Sequence, residues 1–200
     1  MYPEYAEING KQYKIDTSYK TALRCFEIID DTTIHDFERA MAVIYLLFGV
    51  VPEDKDVDQF LKKATYYLQC GKTQSKSKEQ DMDFQQDKGF IMSSFMSDYH
   101  IDLNKTDMHF WQYIDLIEGL TNECILNRVR DIRTCDISQE KDEKRRRQII
   151  ESKKQLALKT KKKFVSEQQQ NMINDIYKAF NLRKEWLYAS RWKYYYWNQN

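Results

Sequence analysis

Ile34-His35-Asp36-Phe37-Glu38-Arg39-Ala40-Met41-Ala42-Val43-Ile44-Tyr45-Leu46-Leu47-Phe48, followed by Gly49 and by Pro52, is the stretch that decides the fold. Phe37, Met41, Ile44 and Phe48 recur at helical spacing, and the later half is apolar nearly all round, as a helix in the middle of a bundle must be. Gly49 ends it, and Pro52 follows where a helix has already stopped. The uncharged run from Ala40 to Val51 is 12 residues long, between Arg39 and Glu53. A bilayer span needs about 20, so the run is a core helix and no membrane segment is expected.

The flanks fit the same scheme. Upstream, Thr17 or Ser18 caps a helix with Tyr19, Ala22, Leu23, Phe26 and Ile29 on its inner face, broken by Asp30-Asp31-Thr32-Thr33. Before it, Asn9-Gly10 separates the alternating segments Tyr5 to Ile8 and Gln12 to Asp16, the signature of a β-hairpin with a type I′ turn. Downstream, Glu53-Asp54 opens a third helix with Val57, Phe60, Leu61, Ala64 and Leu68 as its stripe, ending near Gly71. Residues 71–82 lack a large apolar side chain until Met82 and read as a flexible loop. A helix from Phe84 to Tyr99, an extended connection through Leu103, a helix capped by Asp107 and a short helix with Ile125, Val129 and Ile132 complete the body.

The expected fold is mainly α: an N-terminal β-hairpin, a compact multi-helix bundle and an extended helical C-terminal region. Only 5 glycines and 2 prolines in 200 residues argue against a turn-rich sandwich or barrel. The composition places one unit at 1–135, hairpin plus bundle, and a second at 136–200. The second comprises a charged helical arm, a segment with Ile173, Ile176, Tyr177 and Phe180 at helical spacing, and the aromatic-rich tail Trp192 to Trp197. Charge is segregated along the chain. Residues 1–127 carry 13 basic and 22 acidic side chains, residues 128–163 carry 14 and 6, and the whole chain is net +1. Solvated faces account for such runs; the sharper reading docks the basic arm of one copy on the acidic body of the next.

Catalytic patterns are sparse. Asp54, Asp56 and Asp58 begin like a calcium loop, but Gln59 stands where glycine is needed and Thr65 where glutamate is needed, so no metal is expected. His35, His100 and His109 form no HExxH pattern, and Cys25, Cys70, Cys124 and Cys135 form no CxxC, so free thiols in a reducing compartment are expected. Gly10, Gly49, Gly71, Gly89 and Gly119 are too scattered to cradle a phosphate. Met1 to Ile8 has neither a basic region nor an apolar one, so no export signal is read there. No cofactor, catalytic residue or metal ligand is assigned. The basic 141–163 segment and the aromatic tail leave a nucleic-acid-binding accessory protein as the alternative.

One set of residues carries more. Asp83-Phe84-Gln85-Gln86-Asp87 is followed by Ser94-Phe95-Met96-Ser97-Asp98-Tyr99-His100-Ile101-Asp102-Leu103, then His109-Phe110-Trp111, Gly119-Leu120, Ile132-Arg133-Thr134 and Gln155-Leu156-Ala157-Leu158. In this order the set resembles the bacteriophage gene-product-fifteen family, found in the tail-morphogenesis region of long-tailed phages and prophages of Gram-positive hosts. The resemblance covers roughly 5–160. A glycine commonly precedes the Ile-Asp-Leu triplet in that family; here the position is His100. The resemblance implies a non-catalytic tail-assembly chaperone or adaptor in the host cytoplasm. It would bind the tape-measure protein and/or tail-tube subunits and associate with itself, and no partner-binding residue carries over.

Overall fold

The Asn-Gly pair makes the turn that its chemistry requires. Asn9 and Gly10 both take positive φ, 51° and 74°. They join β1 (Tyr5–Ile8) to β2 (Lys11–Lys14) in antiparallel register, Tyr5 opposite Lys14 and Ile8 opposite Lys11. The computed structural model describes residues 1–72 and 80–159. Seven α-helices follow the hairpin among these residues: α1 (Tyr19–Asp30), α2 (Asp36–Phe48), α3 (Val57–Leu68), α4 (Lys88–Tyr99), α5 (Phe110–Glu118), α6 (Ile125–Thr134) and α7 (Glu143–Leu156). A short 3-10 turn, Ile137–Gln139, stands between α6 and α7. The fold is mainly α, with a two-stranded N-terminal hairpin.

α2 is the central helix. Its apolar half buries Ala40, Val43, Ile44 and Leu47 together with Met41 and Phe48, and it packs against both α1 and α3. Gly49 closes it in the left-handed conformation, φ 65°, its N–H on the Tyr45 carbonyl. Arg39 is buried on this helix. It pairs with Asp36 and donates Nη1 to the Ile29 carbonyl at the C-terminal end of α1, 2.9 Å away, where a cation meets the negative end of the helix dipole. Aromatic rings fill the space between α1, α4 and α5: Tyr19 stacks on Tyr113 at 4.6 Å and Tyr113 on Phe95 at 5.4 Å.

Four boundaries differ from the sequence expectation, each for a local reason. α3 begins at Val57, because residues 54–56 form a turn whose Asp56 carboxylate accepts from Asn9 Nδ2 at 2.7 Å, tying it to the hairpin tip. α4 begins at Lys88, because the Asp83 carboxylate accepts from the Gln85 and Gln86 N–H groups and holds 84–87 in a turn. α5 is capped by His109, whose Nδ1 accepts from Trp111 N at 3.0 Å, and not by Asp107. The cause is a bridge between the starts of α1 and α5: Tyr19 N–H donates to the Met108 carbonyl and Phe110 N–H to the Thr17 carbonyl. This bridge keeps Met108 and His109 extended, and Asp107 accepts from the Ser18 hydroxyl instead. Among the described residues the charged arm is helical over Glu143–Leu156, opened by the Asp142 carboxylate, which accepts from Lys144 N and Arg145 N.

Most of the expected 71–82 loop lies outside the described residues, as do the Phe164–Ala189 segment and the Trp192–Trp197 tail. The two ends of the loop are fastened, Lys72 to Glu118 at 2.6 Å and Asp81 to Arg130 at 2.9 Å.

His100 occupies the left-handed C-cap position of α4, φ 59°, a conformation that costs a residue with a Cβ about 1–2 kcal/mol. Part of that is offset by the extra freedom glycine gives the unfolded chain. The substitution His100→Gly is expected to raise stability by roughly 0.5–1 kcal/mol in urea titration. Asp98 accepts from the Thr121 N–H and hydroxyl, both at 2.8 Å, and from the Ser97 hydroxyl. These donors, led by the Thr121 N–H, hold its carboxyl below the usual carboxylate range. The folded pKa lies below the unfolded one, so this stabilisation is complete above the ordinary carboxylate pKa and is lost as pH falls through the folded value. Asp98→Ala is therefore expected to lower the melting temperature at neutral pH and to flatten its decline in acid below about pH 4.

Candidate interaction surfaces

The Asp83–Asp87, Ile132–Thr134 and Gln155–Leu158 stretches are far apart in sequence and meet around one guanidinium. Arg133 on α6 makes a two-pronged ion pair with Asp87, Nη1 to Oδ2 and Nη2 to Oδ1, both at 2.7 Å. The side chains are 7% and 0% exposed. The same guanidinium donates Nη1 to the Asp81 carbonyl at 2.8 Å and Nε to the Leu156 carbonyl at 2.7 Å. Asp87 also accepts from the Asp83 N–H. Removal from water is costly for both ions, and such a pair is tolerated only where its remaining donors and acceptors are filled, as they largely are here. The planar fork of arginine is what allows one side chain to satisfy a carboxylate and two carbonyls at once.

This cluster positions α7, which has no buried residue. Ile149, Ile150 and Leu156 are half-buried, and the helix packs on α6 and the 3-10 turn. Polar fastenings supplement this thin apolar edge. Lys153 Nζ donates to the Cys135 carbonyl at 2.6 Å. The Gln86 side-chain amide donates to the Ala157 carbonyl and accepts from Lys159 N, at 2.9 and 2.8 Å. On the outer face, Arg145 pairs with Glu140 and Arg147 with Glu143. Lys144 and Arg146 stand exposed with no acidic partner among the described residues.

The sequence candidates for chemistry have structural places. His35 and His109 are N-caps, of α2 and α5, and His100 is a C-cap. The His109 ring also meets the Pro3 carbonyl at 3.0 Å and stacks on Tyr2. Burial pushes the Cys25 thiol up to about 12 and the Cys70 thiol up to about 11, so neither is a ready thiolate. Cys124 Sγ accepts from Asn127 N at the start of α6. Asp54 and Asp56 lie in the turn before α3 and Asp58 in its first turn, and among the described residues no group of three or more His, Cys, Asp or Glu could hold a metal ion. No helix of the described residues is long and apolar enough to cross a membrane.

Asp87 and Arg133 stand in the same set of motif stretches. Nothing in spacing alone signals a partner 46 residues away. The pairing brings these scattered stretches together in space. The family model for the bacteriophage Gp15 protein matches residues 2–158. The chain belongs to this bacteriophage family. The match ends at the point where the arm is fastened by Gln86, so hairpin, bundle and α7 together make up the Gp15 unit of the chain. No curated protein and no solved structure matches the chain. Membership in the Gp15 family points to a structural or morphogenesis protein of a phage.

Truncating Arg133 leaves the Asp87 carboxylate buried and uncompensated. Arg133→Ala is expected to cost about 3–5 kcal/mol in denaturant unfolding. Arg133→Lys is expected to recover only a minor part, because an ammonium cannot span Asp87 and two carbonyls.

Proposed function

We propose that this Gp15-family chain is a non-catalytic tail-assembly factor of the host cytoplasm. In this reading it acts as a chaperone or adaptor for the tape-measure protein and/or tail-tube subunits, working in several self-associated copies. The observation that carries the reading is α7 itself. Among the described residues it is a 14-residue helix with no buried residue, its Lys144 and Arg146 have no acidic partner, and it is fastened to a body rich in carboxylates. A helix held in this way is a contact element, and opposite charge supplies the steering between the arm of one copy and the body of the next. The motif residues support the same reading, because they serve caps, turns and the Arg133 cluster, which shape a scaffold.

The nucleic-acid alternative has less in its favour. Two of the four consecutive basic residues Lys144–Arg147 are neutralised within the arm by Glu140 and Glu143, and phosphate binding scales with the number of free cations.

Co-expression with a tape-measure protein of the same phage tests the proposal. The expected result is a soluble complex that survives affinity purification, with the tape-measure protein aggregating when expressed alone. Light scattering on the purified chain is expected to show oligomers that dissociate as salt rises from 0.05 to about 0.5 M. They are also expected to weaken in Lys144→Glu/Arg146→Glu. A strict monomer that neither binds nor solubilises the tape-measure protein, or a salt-sensitive gel shift of DNA lost in that same variant, contradicts it.

A further inference from the structure

We infer that the hollow between α1 and α4 is a docking site for a protein segment carrying a bulky apolar side chain beside carboxylates. This inference rests on the reading of the chain as a protein-binding assembly factor, but its surface is separate from α7. The hollow has a volume of about 320 Å³, at the small end of ligand-sized cavities. It fits one large side chain and its neighbours, not a whole helix.

The floor is built and rigid. Tyr19, Ile91, Leu103 and Tyr113 line it, and all four are buried core residues. Tyr19 stacks on Tyr113, and its hydroxyl is fixed on the Leu103 carbonyl at 2.7 Å. Such a preformed apolar floor loses little on binding, and interface anchors concentrate in sites of this kind.

The rim decides the occupant. Among the described residues, Lys20, Arg24 and Lys88 border the hollow with one acid, Glu27, while Asp107 and Asp102 act on the Tyr19 hydroxyl at its floor. Glu27 is only loosely paired with Arg24, at 3.8 Å, and both are exposed. These cations gather on a body in which acids outnumber bases 22 to 13 over residues 1–127. An apolar floor with a cationic border selects an anchor flanked by Asp or Glu, and it disfavours the chain's own basic arm.

A random-peptide selection on the full-length chain, counter-selected with a Lys20→Glu/Lys88→Glu variant, reads this out. Both substituted side chains are exposed, and the variant is expected to keep the wild-type circular dichroism spectrum. Peptides with an aromatic or large aliphatic residue next to acids are expected to enrich. Their affinity by fluorescence anisotropy is expected to fall at least about tenfold in the variant and on plugging the hollow with Met92→Trp, while Arg146→Glu leaves it unchanged. Three results overturn the inference: no enrichment over the variant, enriched peptides that are basic, or binding that is lost with Arg146→Glu instead. Self-association abolished by Lys20→Glu/Lys88→Glu would place a second copy in the hollow and also overturns it. Selected peptides with no tape-measure binding would leave the hollow standing and refute the tail-assembly reading alone.

Discussion

The ion pair between Arg133 and Asp87 is the constraint on which the rest of the structure depends. It closes the segment before α4 onto α6, and through the Leu156 carbonyl it reaches the last turn of α7. A well-packed apolar cluster of the same volume would stabilise the junction as well or better, because two buried ions lose their hydration. The ionic solution confers direction. One guanidinium accepts only an arrangement in which a carboxylate and two carbonyls arrive in its plane. The arm is therefore held in a single register although it contributes no buried side chain.

This division between body and arm also organises the functional account. The bundle is stabilised by ordinary apolar burial around α2, with aromatic stacks linking α1, α4 and α5. The arm is stabilised mainly by polar contacts with backbone carbonyls, which leaves its outer side chains free to meet something else. Under the proposed assembly role the arm would serve as one contact surface, and the α1–α4 hollow, with its apolar floor, would serve as a second, chemically distinct one. If copies associate as proposed, carboxylates on one and cations on another would attract over about a Debye length, roughly 8–10 Å at moderate salt.

Much of the fold was legible in the sequence because the informative signals were local. Asn9-Gly10 specified its turn, and the apolar run around Ile44 specified the central helix. Where tertiary contacts override local preference, the reading failed. Glu53 and Asp54 looked like a first helical turn, but Asn9 holds Asp56 outside the helix. Asp107 looked like a cap, but the bridge between the starts of α1 and α5 moves that role to His109. The candidate surfaces were legible only in part. The basic character of the arm is in its composition, and the order of the motif stretches carried the family. The Arg133–Asp87 pair and the hollow are products of packing between distant segments, which no spacing rule encodes.

The central claim is that α7 is held to the body by the guanidinium cluster and not by its apolar edge. Native-state hydrogen exchange of the 143–156 amides, compared between the wild-type chain and Arg133→Gln, tests it most directly. The account predicts that these amides lose most of their protection and approach the rates of an isolated short helix, while the α2 amides remain slow. An α7 that keeps its wild-type protection without the guanidinium contradicts it.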